Sequence, residues 1–110
     1  MLNFERLIVW QKAIDYAEKL VRIADSLPQK YQYSFADQLR RAALSIPNNI
    51  AEGAGRSTSR DRANFYSIAK GSVYETVNIV KLLEKLGLVQ VTELYEVAEE
   101  ICKMLYGLAK

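Results

Sequence analysis

The chain has 110 residues, half of them apolar and a quarter charged, which is the mixture of one globular domain with a single core and excludes a disordered chain. Histidine is absent and Cys102 is the sole cysteine, which excludes Ser-His-Asp and Cys-His catalysis and an intrachain disulfide, and argues against zinc or haem ligation. Net charge is only +2, but residues 38–70 hold six cations against two anions, whereas residues 91–110 hold four glutamates against two lysines. No run of about 18 apolar residues marks a membrane span, and the opening MLNFERLIVWQKA carries charge throughout, so a cytoplasmic protein is expected.

The first helix is expected from about Phe4 to Leu27. Leu7, Trp10, Ala13, Ala17, Leu20, Ala24 and Leu27 recur at steps of three and four, the spacing that buries one helix face. Pro28 stops it, and Gln29 to Tyr33 form a short link.

A second helix is expected to begin at Ser34, an N-cap residue with Asp37 three positions on. Its core stripe is Phe35, Leu39, Ala42, Ile46, Ile50 and Gly53. Pro47 falls inside it, where a missing N–H and a ring crowding the Ala43 carbonyl cost about 3 kcal/mol. Because the apolar period continues across Pro47, a kinked continuous helix is favoured over two helices meeting at Ile46-Pro47. Gly53 and Gly55 are expected to close it as left-handed caps.

Thr58 with Asp61 reads as a capping box opening a third helix that runs to about Leu86. Its roughly 28 residues would span about 42 Å. The expected stripe is Phe65, Ile68, Ser72, Glu75, Ile79, Leu82 and Leu86. Gly87 caps it, Leu88 to Val91 turn, and Thr92 opens a fourth helix with the stripe Leu94, Ala98, Ile101, Leu105 and Leu108.

Four helices joined by short connections predict an all-α, antiparallel up-down-up-down four-helix bundle over residues 1–110, with no repeat or second domain. The first and fourth helices also carry apolar residues off their stripes, among them Ile8, Val9, Ile14, Val21, Tyr95, Val97 and Tyr106. A monomeric bundle needs one buried face per helix, so a homo-oligomer is expected.

Polar side chains beside the core offer three chemistries. Arg41, Ser45, Asn49, Glu52 and Arg56 share one face of the second helix, and Ser72 and Glu75 interrupt the stripe of the third. A buried Glu75 would need an arginine partner, so Arg41, Asn49, Glu52, Arg56, Ser72 and Glu75 read as a structural polar lock that fixes helix register near Pro47. Paired Glu52 and Glu75 as acid and base is the catalytic alternative, with no nucleophile, metal or cofactor to accompany it. The third chemistry is nucleic-acid binding: Arg40, Arg41, Arg56, Arg60, Arg62 and Lys70 can contact phosphates, with Tyr31, Tyr33 or Tyr66 available for stacking. GAGRS lacks the spacing of a phosphate loop and follows no strand, although helix-start amides at Ser57, Thr58 and Ser59 lie beside Arg56 and Arg60. Cys102, inside an apolar helical pattern, reads as packing.

VWQKA at residues 9–13, RRAALSIPNNIAEGAGR at 40–56, IAKGSVYE at 68–75 and ICKMLYGL at 101–108 together resemble one family over almost the whole chain. It is that of the four-helix bundle proteins encoded within intervening sequences of bacterial 23S ribosomal RNA genes. The resemblance implies a bundle that assembles into a ring, expected to be a homopentamer, with no established enzymatic activity. Accessory proteins of diversity-generating retroelements share the architecture and bind nucleic acid and a reverse transcriptase, which makes both possible partners by analogy. Arg40, Arg41, Asn49, Glu52, Gly53, Gly55 and Arg56 match the core motif, and Gly71, Ser72 and Glu75 match the second. No catalytic, cofactor or metal role accompanies them. The functional expectation is a nucleic-acid-associated scaffold. The alternatives are a protein–protein scaffold without nucleic acid and a reverse-transcriptase accessory protein.

Overall fold

A computed structural model describes all residues 1–110. Four helices make up the fold: α1 (Ile8–Ser26), α2 (Phe35–Ala54), α3 (Ser59–Lys85) and α4 (Glu93–Ala109). There are no strands, and short 3-10 turns at Asn3–Arg6 and Gln29–Tyr31 precede α1 and α2. The body measures 43 × 22 × 22 Å, so its length is that of α3, whose 27 residues rise about 40 Å. No helix is long and apolar enough to cross a membrane.

Each helix packs on its neighbour in sequence, and α1 against α4 closes the bundle. Contacts between consecutive helices run in reverse order along the chain, as antiparallel neighbours produce. Asp25 meets Arg40 and Ala54 meets Asn3; Ser45 meets Ser72 and Gly53 meets Tyr66. At the centre lie Tyr16 and Leu20 of α1, Leu39, Ile46 and Ile50 of α2, Val73, Val80 and Leu83 of α3, and Ile101 and Leu105 of α4.

The helix ends follow local chemistry unevenly. The Thr58 hydroxyl accepts the Asp61 amide at 3.1 Å, the N-cap expected at α3. Gly87, at φ 76°, supplies the left-handed turn after α3 that other residues resist. At Ser34 and Thr92 no side-chain cap forms; the Ser34 hydroxyl instead donates to the Tyr31 carbonyl. Gly55 lies at φ −87°, so α2 ends without a left-handed cap. Gly53 has a different duty: it is buried where α3 passes, and a Cβ there would lie 2.9 Å from Tyr66 Cε1 and 3.0 Å from Phe65 Cβ. Helix α2 is one helix through the buried Pro47 rather than two.

Two core faces differ from the periodic expectation. In α1, an extended Leu7 separates the opening turn from the helix, and Val9 and Tyr16 enter the core while Leu7 and Trp10 are half-buried. Trp10 instead takes Phe4 edge-on, ring centroids 5.0 Å apart. In α3 the buried face is Tyr66, Ala69, Ser72, Val73, Thr76, Ile79, Val80 and Leu83, so only Ser72 and Ile79 of the expected stripe are buried. Ile68, Leu82 and Leu86 are 46%, 44% and 49% exposed, and Glu75 is exposed. The cause is that α3 carries apolar side chains on several sides. Period alone then leaves the rotation of the helix open, and the shape of the neighbouring helices chooses it. Leu108, the last residue of the expected α4 stripe, is 44% exposed, lining a shallow pocket beside Leu7, Ile8 and Val9.

Candidate nucleic-acid interface

The six expected phosphate contacts separate into four settings. Arg40 is half-buried and committed to structure: it pairs with Asp25 at 2.9 Å and donates to the Gln32 side-chain carbonyl. Gln32 in turn donates from Nε2 to the carbonyls of Ala24 and Leu27, both at 2.9 Å, satisfying the open end of α1. Arg40 therefore braces the α1–α2 corner. Arg41 points outward from α2 and pairs with Asp37 one turn earlier at 3.0 Å, a contact of little energetic weight at the surface.

Arg56, Arg60 and Arg62 meet at the α2–α3 corner. The Arg62 guanidinium donates to the Arg56 carbonyl at 3.0 Å and to Ser59 Oγ at 3.1 Å, so it ties the corner together. Arg56 lies over the Phe65 ring, 4.6 Å from its centroid, with Glu52 at 3.8 Å. Arg60 is exposed and in no ion pair within 4 Å. Ser57, Thr58 and Ser59 are exposed beside them at the start of α3.

Lys70 belongs to another face. It lines an open groove of about 580 Å³ between α3 and α4. Val73, Val77, Ala98 and Cys102 form its apolar floor, and Tyr74, Lys81, Lys103 and Tyr106 stand exposed around it. At one end the Tyr95 hydroxyl donates to Glu84, which also accepts the Val91 amide at 3.2 Å. Burial, then the hydrogen bond and charge of Glu84, push the Tyr95 phenol up to about 12. The bond from Tyr95, then that from Val91, hold Glu84 below its ordinary value. Burial raises the Cys102 thiol, partly offset by Lys70.

The tyrosines named from sequence for stacking are differently placed. Tyr66 is 5% exposed, and that burial raises its phenol against the opposing charge of Arg62. Tyr31 stacks on Phe35 at 5.5 Å, and Tyr33 stands free at 89% exposure. The groove tyrosines Tyr74, Tyr95 and Tyr106 were missed. The available signal was Lys70, Tyr74, Val77 and Lys81 at steps of four, three and four, facing Tyr95, Glu99, Cys102 and Tyr106 at the same steps.

Of the residues expected to lock the register, Asn49 and Ser72 come together, through Ser45. Ser45 Oγ and Ser72 Oγ are 2.8 Å apart across α2 and α3, and Asn49 Nδ2 donates to the Ser45 carbonyl at 2.8 Å and to its Oγ at 3.0 Å. Glu75 takes no part, contrary to expectation: it is exposed and pairs with no arginine, because α3 is rotated so that Thr76 takes the inward place. Arg41, Glu52 and Arg56 also stay outside the lock, in surface pairs along their own helix. Glu52 and Glu75 are not brought together as a carboxylate pair, since Glu52 turns to Arg56 near the end of α2.

Fold and surface thus define a small all-helical bundle with an arginine corner and a lysine-tyrosine groove. The family model described as 23S rRNA-intervening sequence protein matches residues 5–107, and the chain belongs to that family. No curated protein matches the chain.

Proposed function

We propose that this protein is a non-enzymatic helical scaffold that self-associates into a ring and binds RNA. The observation that carries the RNA reading is the α2–α3 corner, where Arg56, Arg60 and Arg62 lie within seven residues of one another, with Arg60 exposed and in no ion pair and Arg56 beside Glu52. Guanidinium groups in that density release counterions on meeting a phosphate backbone, which makes affinity salt-dependent. Asp61 moderates the charge without removing it. Self-association is supported by the exposed Ile68 and Leu82 of α3, Leu86 just after it, and Ile8 and Ile14 of α1, more apolar surface than a lone bundle needs. A pentamer is the stoichiometry to test first, by family resemblance.

The test is a titration of labelled structured RNA at two salt concentrations with the wild-type chain and an Arg56/Arg60/Arg62→Gln variant. Salt-sensitive binding that the variant loses is the expected result. Absence of binding, or binding indifferent to both, overturns the RNA reading. Light scattering reads the assembly, and a mass of 12.5 kDa overturns self-association. The exposed α3 stripe favours a second reading, a scaffold that holds only proteins; an oligomer that binds no RNA would select it.

A further inference from the structure

The α3–α4 groove stands apart from the arginine corner and has its own chemistry. Lys70, Lys81 and Lys103 line it against one carboxylate, Glu99. None of the three lysines forms an ion pair. The ammonium groups of Lys70 and Lys81 lie over phenol rings instead. Lys70 Nζ is 5.8 Å from the Tyr74 centroid and 5.5 Å from that of Tyr106, and Lys81 Nζ is 4.0 Å from that of Tyr95. Both ends of the groove therefore carry a lysine–tyrosine pair bridging α3 and α4. Tyr74 and Tyr106 are 63% and 58% exposed, and a base would stack on them by displacing Lys70 and, at Tyr106, Lys110, whose Nζ lies 4.8 Å from the ring centroid.

Size narrows what fits. From Lys70 to Lys81 α3 rises about 16 Å, the length of about five stacked nucleotides in one strand. A groove one helix seam wide does not hold a duplex, whose bases are stacked away and whose recognition needs a broad surface. It suits one flexible strand with bases turned toward aromatic faces and phosphates toward cations. An acidic peptide would satisfy the lysines and leave the tyrosines without purpose.

We infer that the α3–α4 groove binds a single-stranded stretch of RNA, its bases stacking on Tyr74 and Tyr106 and its phosphates held by Lys70, Lys81 and Lys103. This rests on the RNA reading and adds to it a second contact with different chemistry. The arginine corner attracts backbone of any form; the groove selects unpaired nucleotides. Tyr95, fixed by its hydrogen bond to Glu84, closes one end as a set platform.

The test is fluorescence anisotropy with a labelled uridine oligonucleotide of about twelve nucleotides, beside an RNA hairpin. Tyr74→Leu/Tyr106→Leu keeps apolar bulk and removes the aromatic faces. It should weaken oligonucleotide binding about tenfold and leave the salt slope unchanged. Lys70→Gln/Lys81→Gln/Lys103→Gln should lower that slope by about two, at roughly 0.7 per phosphate contact. In the wild-type chain, saturating oligonucleotide should slow alkylation of Cys102, the sole cysteine, on the groove floor. If the Arg56/Arg60/Arg62→Gln variant loses RNA while both groove variants and Cys102 alkylation are unaffected, the groove inference is overturned and the RNA reading stands. If wild type binds neither RNA form, both are overturned. A tyrosine variant that breaks the oligomer without changing oligonucleotide affinity assigns the groove to a second copy and overturns the inference. So does tighter binding of an acidic peptide that the same tyrosines support.

Discussion

Tyr16 of α1 and Thr76 of α3 join hydroxyls at 2.9 Å inside the bundle, both almost wholly buried. Thr76 Oγ1 also lies 2.7 Å from the Val73 carbonyl, which can only accept. The single threonine proton therefore goes to Val73, and Tyr16 is the donor to Thr76. That assignment makes the two partners unequal. Tyr16→Phe leaves Thr76 its bond to Val73 and should cost about 1 kcal/mol. Thr76→Val strands the buried Tyr16 hydroxyl and should cost more, about 1–3 kcal/mol. The double variant should recover much of the difference. Urea melts of the four chains measure it, and equal single losses would contradict the assignment, while a larger loss for Tyr16→Phe would show that the proton runs the other way.

Gly53 lets α2 and α3 meet. Gly53→Ala gains about 1 kcal/mol of helix propensity but drives its methyl into Tyr66 and Phe65. The ring and backbone must give way, and a net loss of about 1–3 kcal/mol is expected. A thermal melt unchanged from wild type would mean that α3 moves aside freely.

The polar contact between α2 and α3 is neutral, not ionic. Glu75→Ala should change stability by no more than about 0.5 kcal/mol, as an exposed residue without an ion-pair partner does. Ser72→Ala breaks the contact with Ser45 and should cost about 1 kcal/mol, limited because Asn49 still donates to Ser45. A larger loss at Glu75 than at Ser72 in denaturant melts would reverse this ordering.

The Tyr95–Glu84 bond predicts two pH windows. Glu84 is held below its ordinary 4.5, so its contribution is present above that value and is lost as pH falls through the lower folded value. Tyr95 is raised from 10.0 to about 12, so its contribution is complete below pH 10.0 and is lost as pH rises toward 12. Tyr95→Phe should return Glu84 toward its ordinary titration and remove one late-ionising phenol. Carboxyl NMR titration and tyrosinate absorbance read these separately, and a wild-type Tyr95 ionising near 10 would contradict the bond.

Much of the architecture was legible before folding. Pro28, Thr58 and Gly87 mark boundaries because a missing amide proton, a capping hydroxyl and a left-handed turn act within a few residues. The α4 stripe from Leu94 to Leu105 was legible because that helix presents one dominant apolar face. Helix α2 was legible for the same reason, apart from Gly53, whose purpose depends on a ring from α3.

What only the packed molecule decides involves partners distant in sequence. The rotation of α3 is one case: Ile68, Leu82 and Leu86 compete with Ala69, Val73 and Val80 for the core, and contact with α2 and α4 selects between them. Thr76 is another, since its hydroxyl is buried only because Tyr16 meets it from 60 residues away. The fate of the arginines is a third. Arg40 and Arg41 are neighbours of identical chemistry, yet Asp25 and Gln32 claim Arg40 for the α1–α2 corner while Arg41 faces water. Local sequence determined the helices and the ends at Pro28, Thr58 and Gly87 because those forces act over one or two turns. Tertiary structure decided which faces are buried and which cations remain free, because a side chain's burial and pairing depend on what the rest of the chain brings against it.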